Sequence, residues 1–472
     1  MRCSGSSHNA VMFAVLLMFF ALFNTLSVDA SGPGNPVRLD ANGHANNPRV
    51  ATDENGNAIA VWVQSDASPQ EYGLWSNRYV PGKGWGKPER INSYVGQADW
   101  PSIAMSAHGQ AMAVWAQYSL FDPNNPQPFS GSLWASHYEP GHGWSKPQQI
   151  EDNTTNPNWP TVKMDESGNG VVVYLKTNTS LDVTNVYARS FNRHGNFGAV
   201  KLLQQDAVSL GVSHVVALNE RGAGIVAWSQ FDRENLAWRV WANRLDPVKG
   251  WQGAAMLPDA VGEAGPGGAG IAENGDAHVV WGLMNPVNFQ FNVYDSFSSA
   301  ATGWGQPVLL QANGDISADN LVVAVNEHGE AMAVWRELTD MWSYPFTYQM
   351  RFNRYVPGSG WGAVQTIGDP GTNFSGASRL ALDKQGNAIA VWLQLNPDAQ
   401  TDPYATPPWN VYALRYKAAK GWGKPRNLQP GVASAGPPDL AADNMGNAVS
   451  VWNAQNQTDG STTVWASRLK HD

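Results

Sequence analysis

Aromatic side chains that can stack on sugar rings are concentrated in a few polar stretches of the sequence. The stretches at 118–131, 338–349 and 395–410 combine aromatic residues with acidic ones such as Asp122, Asp340 and Asp402. Flat aromatic faces offer apolar area to a sugar ring, and carboxylates accept hydrogen bonds from its hydroxyls. The candidate ligand-binding aromatic residues are Trp342, Tyr344, Tyr404 and Trp409 in these stretches, and Trp100 and Trp159 in the connections between repeats. The alternative is that these aromatic residues only cover the ends of the core.

Three charged residues share one position of a repeat that runs through the sequence. Each repeat has a turn glycine, and seven residues before it stand Arg49, Ser102, Thr161, Val215, Gly268, Val322, Arg379 and Asp439. The charged ones belong to the first, seventh and eighth repeats, which become neighbours only if the repeats close into a ring. One interpretation is a charge-assisted bridge between Asp439 and the two arginines. The other is an anion-binding site, because two arginines leave one positive charge unmatched.

The sequence has no motif for covalent, metal-dependent or nucleotide-dependent catalysis. It contains no nucleophile elbow, no His-Glu-x-x-His, no phosphate-binding glycine loop and no cysteine nucleophile. The turn carboxylates are not spaced as a calcium loop, so neither a metal nor a cofactor is predicted. Arg336-Glu337, with Asp340 and Trp342, forms either an acid/base site or a salt bridge that steadies the following loop.

The repeat is a glycine turn followed by an apolar strand that ends in an aromatic residue, as in DENGNAIAVW at 53–62. Glycine suits the turn because it takes a positive φ without a steric penalty. The eight turn glycines are Gly56, Gly109, Gly168, Gly222, Gly275, Gly329, Gly386 and Gly446. Their spacings of 53 to 60 residues are too long for most solenoids and are typical of four-stranded propeller blades. The repeats therefore predict an all-β fold, an eight-bladed β-propeller of four-stranded blades.

Each repeat predicts four strands. The third carries an aromatic-x-x-Arg pattern, such as Trp75 with Arg78, and the fourth follows a Gly-Trp turn such as Gly84-Trp85. The recurring arginines are predicted to be structural. No Gly-Trp turn follows Arg468 in the last repeat, and residues 35–39 resemble the fourth strand of the other repeats. The N-terminal strand is therefore predicted to complete the last blade and close the ring, so that residues 31–472 form a single domain.

The first thirty residues have the pattern of a signal peptide. Arg2 precedes an apolar run from Ala10 to Phe23, which is short for a membrane span, and residues 28–30 offer a small-residue cleavage site. Residues 1–30 are therefore predicted to be removed, with a retained anchor as the alternative. The only cysteine, Cys3, lies in this segment. We predict a periplasmic or secreted protein without disulfides and without stable membrane insertion after cleavage.

The repeat pattern resembles that of secreted bacterial β-propellers over the whole mature chain. It is similar, more distantly, to that of sialidase-type and lectin-type propellers with Asp-box hairpins. An Asp-box has the form Ser-x-Asp-x-Gly-x-Thr-Trp, whereas here Gly56 stands three residues after Asp53, and Trp62 stands six residues after the glycine. The resemblance therefore implies the architecture and assigns no catalytic residue to this chain.

Three functions fit these patterns. The favoured one is an exported, non-enzymatic module that recognises carbohydrate on the face formed by the long loops between second and third strands. The alternatives are a glycan-cleaving enzyme of sialidase-like or lyase-like propeller type, and a scaffold for protein–protein interactions in the envelope. The expected partner is a glycan or an envelope protein. A net charge of −9 with scattered basic residues argues against nucleic acid.

Overall fold

The computed structural model describes residues 35–41, 43–65, 71–92, 96–119, 131–152, 156–178, 183–204, 211–299, 301–311, 317–340, 347–367, 376, 378–395, 408–429 and 433–471. All regular elements in these ranges are β-strands, which confirms the all-β prediction. Within the same ranges there is no helix that could span a membrane. The predicted signal peptide lies outside the described residues, and so do Trp342, Tyr344 and Tyr404.

The strands fall into eight consecutive units, numbered 1 to 8, each built on one turn glycine, and a short strand β1 (Val37–Arg38) precedes them. Unit 1 contains β2 (Ala45–Thr52), β3 (Ala58–Ser65), β4 (Tyr72–Val80), β5 (Gly84–Trp85) and β6 (Glu89–Arg90). Unit 2 contains β7 (Gln97–Met105), β8 (Ala111–Tyr118), β9 (Gly131–Glu139), β10 (Gly143–Trp144) and β11 (Gln148–Glu151). Unit 3 contains β12 (Asn158–Met164), β13 (Gly170–Asn178), β14 (Val183–Phe191) and β15 (Phe197–Leu202). Unit 4 contains β16 (Gly211–Leu218), β17 (Gly224–Asp232), β18 (Ala237–Asp246) and β19 (Gly250–Gly262).

The second half of the chain repeats this order. Unit 5 contains β20 (Ala264–Ile271), β21 (Ala277–Met284), β22 (Phe291–Ser299), β23 (Gly303–Trp304) and β24 (Val308–Leu309). Unit 6 contains β25 (Ala318–Val325), β26 (Ala331–Asp340), β27 (Thr347–Val356), β28 (Gly360–Trp361) and β29 (Gln365–Ile367). Unit 7 contains β30 (Arg379–Leu382), β31 (Ala388–Leu395), β32 (Trp409–Lys417), β33 (Gly421–Trp422) and β34 (Arg426–Asn427). Unit 8 contains β35 (Ser434–Ala435), β36 (Asp439–Ala442), β37 (Ala448–Gln455) and β38 (Thr462–Leu469).

Within each unit the strands pair antiparallel in chain order. The fourth strand is often split, as in unit 1, where β4 pairs with both β5 and β6. A single parallel residue pair links β4 to β7, so units 1 and 2 share one sheet. In unit 8 the outer strand is β1, whose Val37 and Arg38 pair with Ala466 and Trp465 of β38. The N-terminal and C-terminal strands therefore belong to one sheet.

A polar side chain three residues before the glycine holds the glycine turn. In unit 1, Asp53 Oδ1 accepts hydrogen bonds from the backbone N–H groups of Asn55 at 2.9 Å and Asn57 at 2.8 Å. Gly56 has a φ of 73°, a left-handed conformation that glycine adopts without strain. The same pair of hydrogen bonds recurs in units 7 and 8. These turn carboxylates are therefore engaged in the turn itself.

In the described part of the chain the core consists of eight hydrophobic clusters, each formed between two consecutive units. The aromatic residue that the repeat places at the end of each second strand lies inside that strand, which continues past it, and this central aromatic residue is at most 1% exposed; these residues are Trp62, Trp115, Tyr174, Trp228, Trp281, Trp335, Trp392 and Trp452. One cluster joins unit 8 to unit 1 and packs Val449 and Val451 with Val50 and Trp62. Because both faces of a unit are buried, the first strands and the loops carry the side chains that remain available to a ligand.

Candidate functional site

The first strands of the units place equivalent residues next to one another. In each unit, the residue seven positions before the turn glycine pairs with the residue just before the central aromatic residue of the second strand. Arg49 pairs in this way with Val61, and Asp439 with Val451. The shared register makes these positions structurally equivalent. The first strands of units 7, 8, 1, 2, 3 and 4 line one cavity of about 430 Å³, which we call the first-strand cavity.

Two indoles form the aromatic part of the cavity wall. Trp100 and Trp159 are 40% and 44% exposed, in contrast to the buried central aromatic residues. Their ring centroids lie 5.6 Å apart with an interplanar angle of 68°, an edge-to-face pair. This geometry is favourable between the rings themselves and leaves apolar ring surface open to solvent. The pair is therefore a preformed surface for a ligand that has apolar faces.

A backbone irregularity accounts for the exposure of these indoles. Trp100 has a φ of 51° and Trp159 a φ of 49°, values that are uncommon outside glycine. Asn47, Ser213 and Asn320, at the same position of their units, also have positive φ. The strand register shifts at each of the five positions. Such a bulge redirects a side chain, and its backbone strain of about 1–3 kcal/mol is typically retained where it serves a site.

Opposite charges meet in the same cavity. Arg379 Nε lies 3.2 Å from Asp439 Oδ1. The second carboxylate oxygen of Asp439 accepts a hydrogen bond from the backbone N–H of Val50 at 3.1 Å. Burial lowers the pKa of the neighbouring Arg49, Asp439 raises it, and Arg379 lowers it again. The structure thus brings Arg49, Arg379 and Asp439 together with the two indoles.

Lys163 is a further cation of this cavity, and sequence reasoning missed it. Its side chain is open to solvent through the cavity but enclosed by the surrounding first strands. This enclosure lowers the pKa of Lys163, Asp439 raises it, and Arg379 lowers it. The repeat pattern does distinguish Lys163, which stands five residues before its turn glycine. At this position the other seven units have alanine or glycine: Ala51, Ala104, Ala217, Gly270, Ala324, Ala381 and Ala441. A lysine in a row of small residues has no packing role to explain it.

A neutral imidazole completes the polar wall. His214 Nε2 lies 3.2 Å from Thr161 Oγ1, and Nδ1 is buried without a hydrogen-bond partner among the described residues. Burial lowers the pKa of His214 to about 4, so the ring is uncharged at neutral pH. Among the described residues that line the cavity, the ionisable basic side chains are Arg49, Lys163 and Arg379 and the one carboxylate is Asp439, so basic groups outnumber acidic ones by two.

Trp409, the remaining predicted residue that the structure describes, lies apart from this cavity. It begins β32 and pairs with Leu395, so both belong to strands and the intervening loop is shorter than the predicted 395–410. The indole is half-buried against Leu393 and Val411 in the cluster between units 7 and 8. Its environment is therefore that of a packed residue at the edge of the core.

Arg336 and Glu337 have separate partners. Arg336 forms an ion pair with Asp319 on the adjacent first strand. Glu337 accepts hydrogen bonds from Trp335 Nε1 at 2.9 Å and from Arg351 Nε at 2.7 Å. Because both side chains are committed to neighbouring strands, this dipeptide fits the structural interpretation and not the acid/base one.

A second charged cluster lies two residues before the turn glycines, a position where five of the eight units have glutamate. Carboxylate oxygens of Glu54, Glu166 and Glu220 lie within 4.8 Å of one another. The pKa of Glu166 is raised to about 7, first by its hydrogen bond with Glu220 and then by burial. Oxygen ligands at this spacing suit a divalent cation. However, Asn444 Nδ2 already donates to Glu54 and Glu220, and Lys384 Nζ lies 3.8 Å from Glu220.

The sequence matches no protein-family model and no curated protein. Among solved structures, the polysaccharide lyase Uly1 is similar at 10% identity over 92% of this chain and 91% of its own, with a TM-score of 0.49. The β-propeller domain of the Trilobed protease from Pyrococcus furiosus is 8% identical over 82% and 95%, with a TM-score of 0.44. The GH93 α-L-arabinofuranosidase of Fusarium graminearum is 12% identical over 79% and 93%, with a TM-score of 0.41.

Proposed function

We propose that the chain is an eight-bladed β-propeller that binds an acidic carbohydrate in the first-strand cavity. Support for this architecture comes from the equivalent registers of the eight units, from the hydrophobic cluster between unit 8 and unit 1, and from the β1–β38 pairing. On this proposal the units are the blades, β1 closes the ring, and the cavity is one mouth of the central channel. Export by the predicted signal peptide would bring the protein to extracellular polysaccharide.

The observation that carries the proposal is the meeting of two exposed indoles with unmatched positive charge in one cavity. Trp100 and Trp159 offer ring surface to the apolar face of a sugar. Arg49 and Lys163 are available to a carboxylate or sulfate group, whereas Arg379 is held by Asp439. A volume of about 430 Å³ lies in the range of small-ligand sites. A neutral sugar would gain the stacking alone, so the site favours an acidic one.

Titration calorimetry of the chain from residue 31 tests the proposal with a uronic acid oligosaccharide and the neutral oligosaccharide of the same linkage. We expect saturable binding of the acidic ligand, at least tenfold weaker binding of the neutral one, and weaker acidic binding at high salt. Trp100→Ala and Trp159→Ala should each weaken binding by about 0.5–1.5 kcal/mol, or roughly two- to twelvefold. Trp238→Ala is the matched control, because it opens another edge-to-face pair, with Phe231 in unit 4. Equal affinity for both sugars would contradict the proposal.

The neutral His214 favours one second candidate, cleavage of the bound uronic acid polymer by β-elimination. An uncharged imidazole that lines the cavity can take the proton from the carbon beside the carboxylate. Arg49 would neutralise that carboxylate as the electron pair moves into a new carbon–carbon double bond, and the leaving sugar oxygen would take up a proton. Ultraviolet absorbance of the unsaturated product tests this reaction. His214→Ala should abolish the product and retain binding, and a wild-type chain that forms no product would exclude cleavage of that polymer.

A further inference from the structure

A groove of about 520 Å³ lies between units 7 and 8, on the outer side of the sheets and away from the first-strand cavity. Its floor is apolar and includes Ile389 and Ala413 of unit 7 and Leu469 of unit 8. Its volume is in the range of ligand sites. We call it the 7/8 groove.

The groove exists because one aromatic side chain is missing from the repeat. Seven of the eight inter-unit clusters include an aromatic residue from the fourth strand of the later unit; these are Trp85, Trp144, Phe197, Trp251, Trp304, Trp361 and Trp422. Among the described residues, the cluster between units 7 and 8 has no such ring. Unit 6 shows what the ring does, because Trp422 packs on Phe352 with ring centroids 5.4 Å apart.

The register of β1 explains the omission. Arg90 pairs with Trp75 in unit 1, and Arg38 pairs with Trp465 in unit 8. In unit 1, Trp85 stands five residues before Arg90. The residue five before Arg38 is Pro33, so proline stands in unit 8 where unit 1 has tryptophan. Pro33 lies outside the described residues. The surface of unit 7 that an indole would cover, around Ala413, therefore lines an open groove.

The rim of the groove is strongly basic in a protein whose net charge is −9. Among the described residues that line it, the charged ones are Arg415, Lys417, Lys420, Lys424, Arg426, Arg468 and Lys470, and none is acidic. Some of these have structural contacts; for example, Arg415 donates to the carbonyls of Gly446 and Leu469, and Arg468 lies over the ring of Tyr79. The exposed ammonium groups of Lys420, Lys424 and Lys470 surround the opening. A one-sign rim of this kind attracts an anionic partner.

We propose that the 7/8 groove binds an acidic peptide segment of a partner protein, with an aromatic side chain over Ala413. The aromatic anchor follows from the seven other clusters, where a fourth-strand ring is present, on a Gly-Trp segment in six of them and as Phe197 in the other. The acidic flanks follow from the charge of the rim. This interface is independent of the sugar site, because the two share no lining residue.

The test uses the chain from residue 31 and a synthetic peptide, acetyl-Glu-Glu-Gly-Trp-Gly-Glu-Pro-amide, in a fluorescence anisotropy titration. We expect saturable binding that is at least tenfold weaker when serine replaces the tryptophan of the peptide or when lysines replace its glutamates. Ala413→Phe should fill the groove and weaken binding at least tenfold. Phenylalanine is tolerated at this position, because Phe352 occupies it in unit 6, in the same register.

Charge reversal supplies the second arm. Lys420→Glu with Lys470→Glu should weaken peptide binding at least tenfold, whereas Lys249→Glu should not change it. Lys249 is the matched control because it also precedes a Gly-Trp pair and is exposed. Absence of peptide binding, or equal binding of the tryptophan and serine peptides, overturns the proposal. Dimerisation in sedimentation experiments that Ala413→Phe abolishes would assign the groove to a second copy of this chain and likewise overturn it.

Discussion

Replacing Lys163 with alanine should weaken binding of an acidic sugar while preserving the fold. Alanine or glycine stands at the equivalent position of the other seven units, so the strand accepts a small residue there. The register is also the same: Lys163 pairs with Val171 as Ala104 pairs with Met112. The substitution therefore removes one ammonium group from the first-strand cavity and leaves the surrounding packing as it is in most of the repeat.

The size of the effect follows from the position of the ammonium group. A hydrogen bond to a charged group contributes about 1.5–3 kcal/mol. The cavity is open to solvent, so we take the lower end, which corresponds to about a tenfold increase in Kd. The stability of the fold, in contrast to the affinity, should not decrease. Enclosure lowers the pKa of Lys163, which means that the folded state disfavours its charge. Removing a side chain whose charge the folded state disfavours should leave the unfolding temperature unchanged or raise it.

Titration calorimetry with the uronic acid oligosaccharide at two salt concentrations measures this effect, and thermal unfolding by circular dichroism monitors the fold. Lys201→Ala is the matched control, because Lys201 is an exposed lysine on the outer strand of the same unit. Unchanged affinity in Lys163→Ala would show that the ammonium group does not meet the ligand. Weaker binding together with a lower unfolding temperature would also refute the reasoning, because loss of structure would then account for it.

Three further predictions concern the ends of the first strands and the ring closure. Asp439→Asn should lower stability by about 1–2 kcal/mol, because Arg379 and the backbone N–H of Val50 lose a charged acceptor. The same substitution should tighten binding of the acidic sugar, and weaker binding in calorimetry would contradict this. Deleting residues 32–41 should lower the unfolding temperature markedly, because buried Leu39 is lost at a cost of about 2–5 kcal/mol, and an unchanged melting curve would contradict the β1–β38 pairing. The pKa of Glu166 is raised, so the stability that its protonated form contributes is complete below about pH 4.5 and is lost as pH rises through about 7. Glu166→Gln should therefore reduce the change in unfolding free energy over this pH range by about 1 kcal/mol. Parallel stability–pH profiles of the variant and the wild type would refute this.

Much of the architecture was predictable because every unit repeats the same packing problem. The spacing of the turn glycines predicts the four-stranded period, and counting seven residues back from each glycine finds structurally equivalent positions. That count was sufficient to select Arg49, Arg379 and Asp439, which line one cavity in the structure. The position is reliable because the hydrogen-bond ladder between first and second strands admits no insertion between it and the glycine.

The rest of the candidate site depends on features that a repeat count does not contain. The contact between Trp100 and Trp159 requires a bulge with positive φ, and no local residue pattern signals it, since Asn47 and Ser213 share the conformation. Loop boundaries were equally hard to predict. Trp409 follows a polar stretch in the sequence, but its ring gains more by packing against Leu393 than by exposure to solvent, so the strand begins earlier.

A residue that differs from the repeat consensus indicates a binding role only when its side chain is not packed in the core. Unit 3 provides both cases. Tyr174 replaces the tryptophan of most units, but it is fully buried and its hydroxyl donates to Glu151 Oε1 at 2.6 Å, so a neighbouring residue compensates the change. Lys163 replaces a small residue, is open to solvent, and has no ion-pair partner within salt-bridge distance among the described residues. The same criterion selects the 7/8 groove, where the ring over Ala413 is missing and nothing apolar in the described chain replaces it. Close packing requires similar residues at the same buried position of each unit. A position that differs, is exposed, and has no neighbouring residue that makes up for the change therefore points to a partner outside the chain.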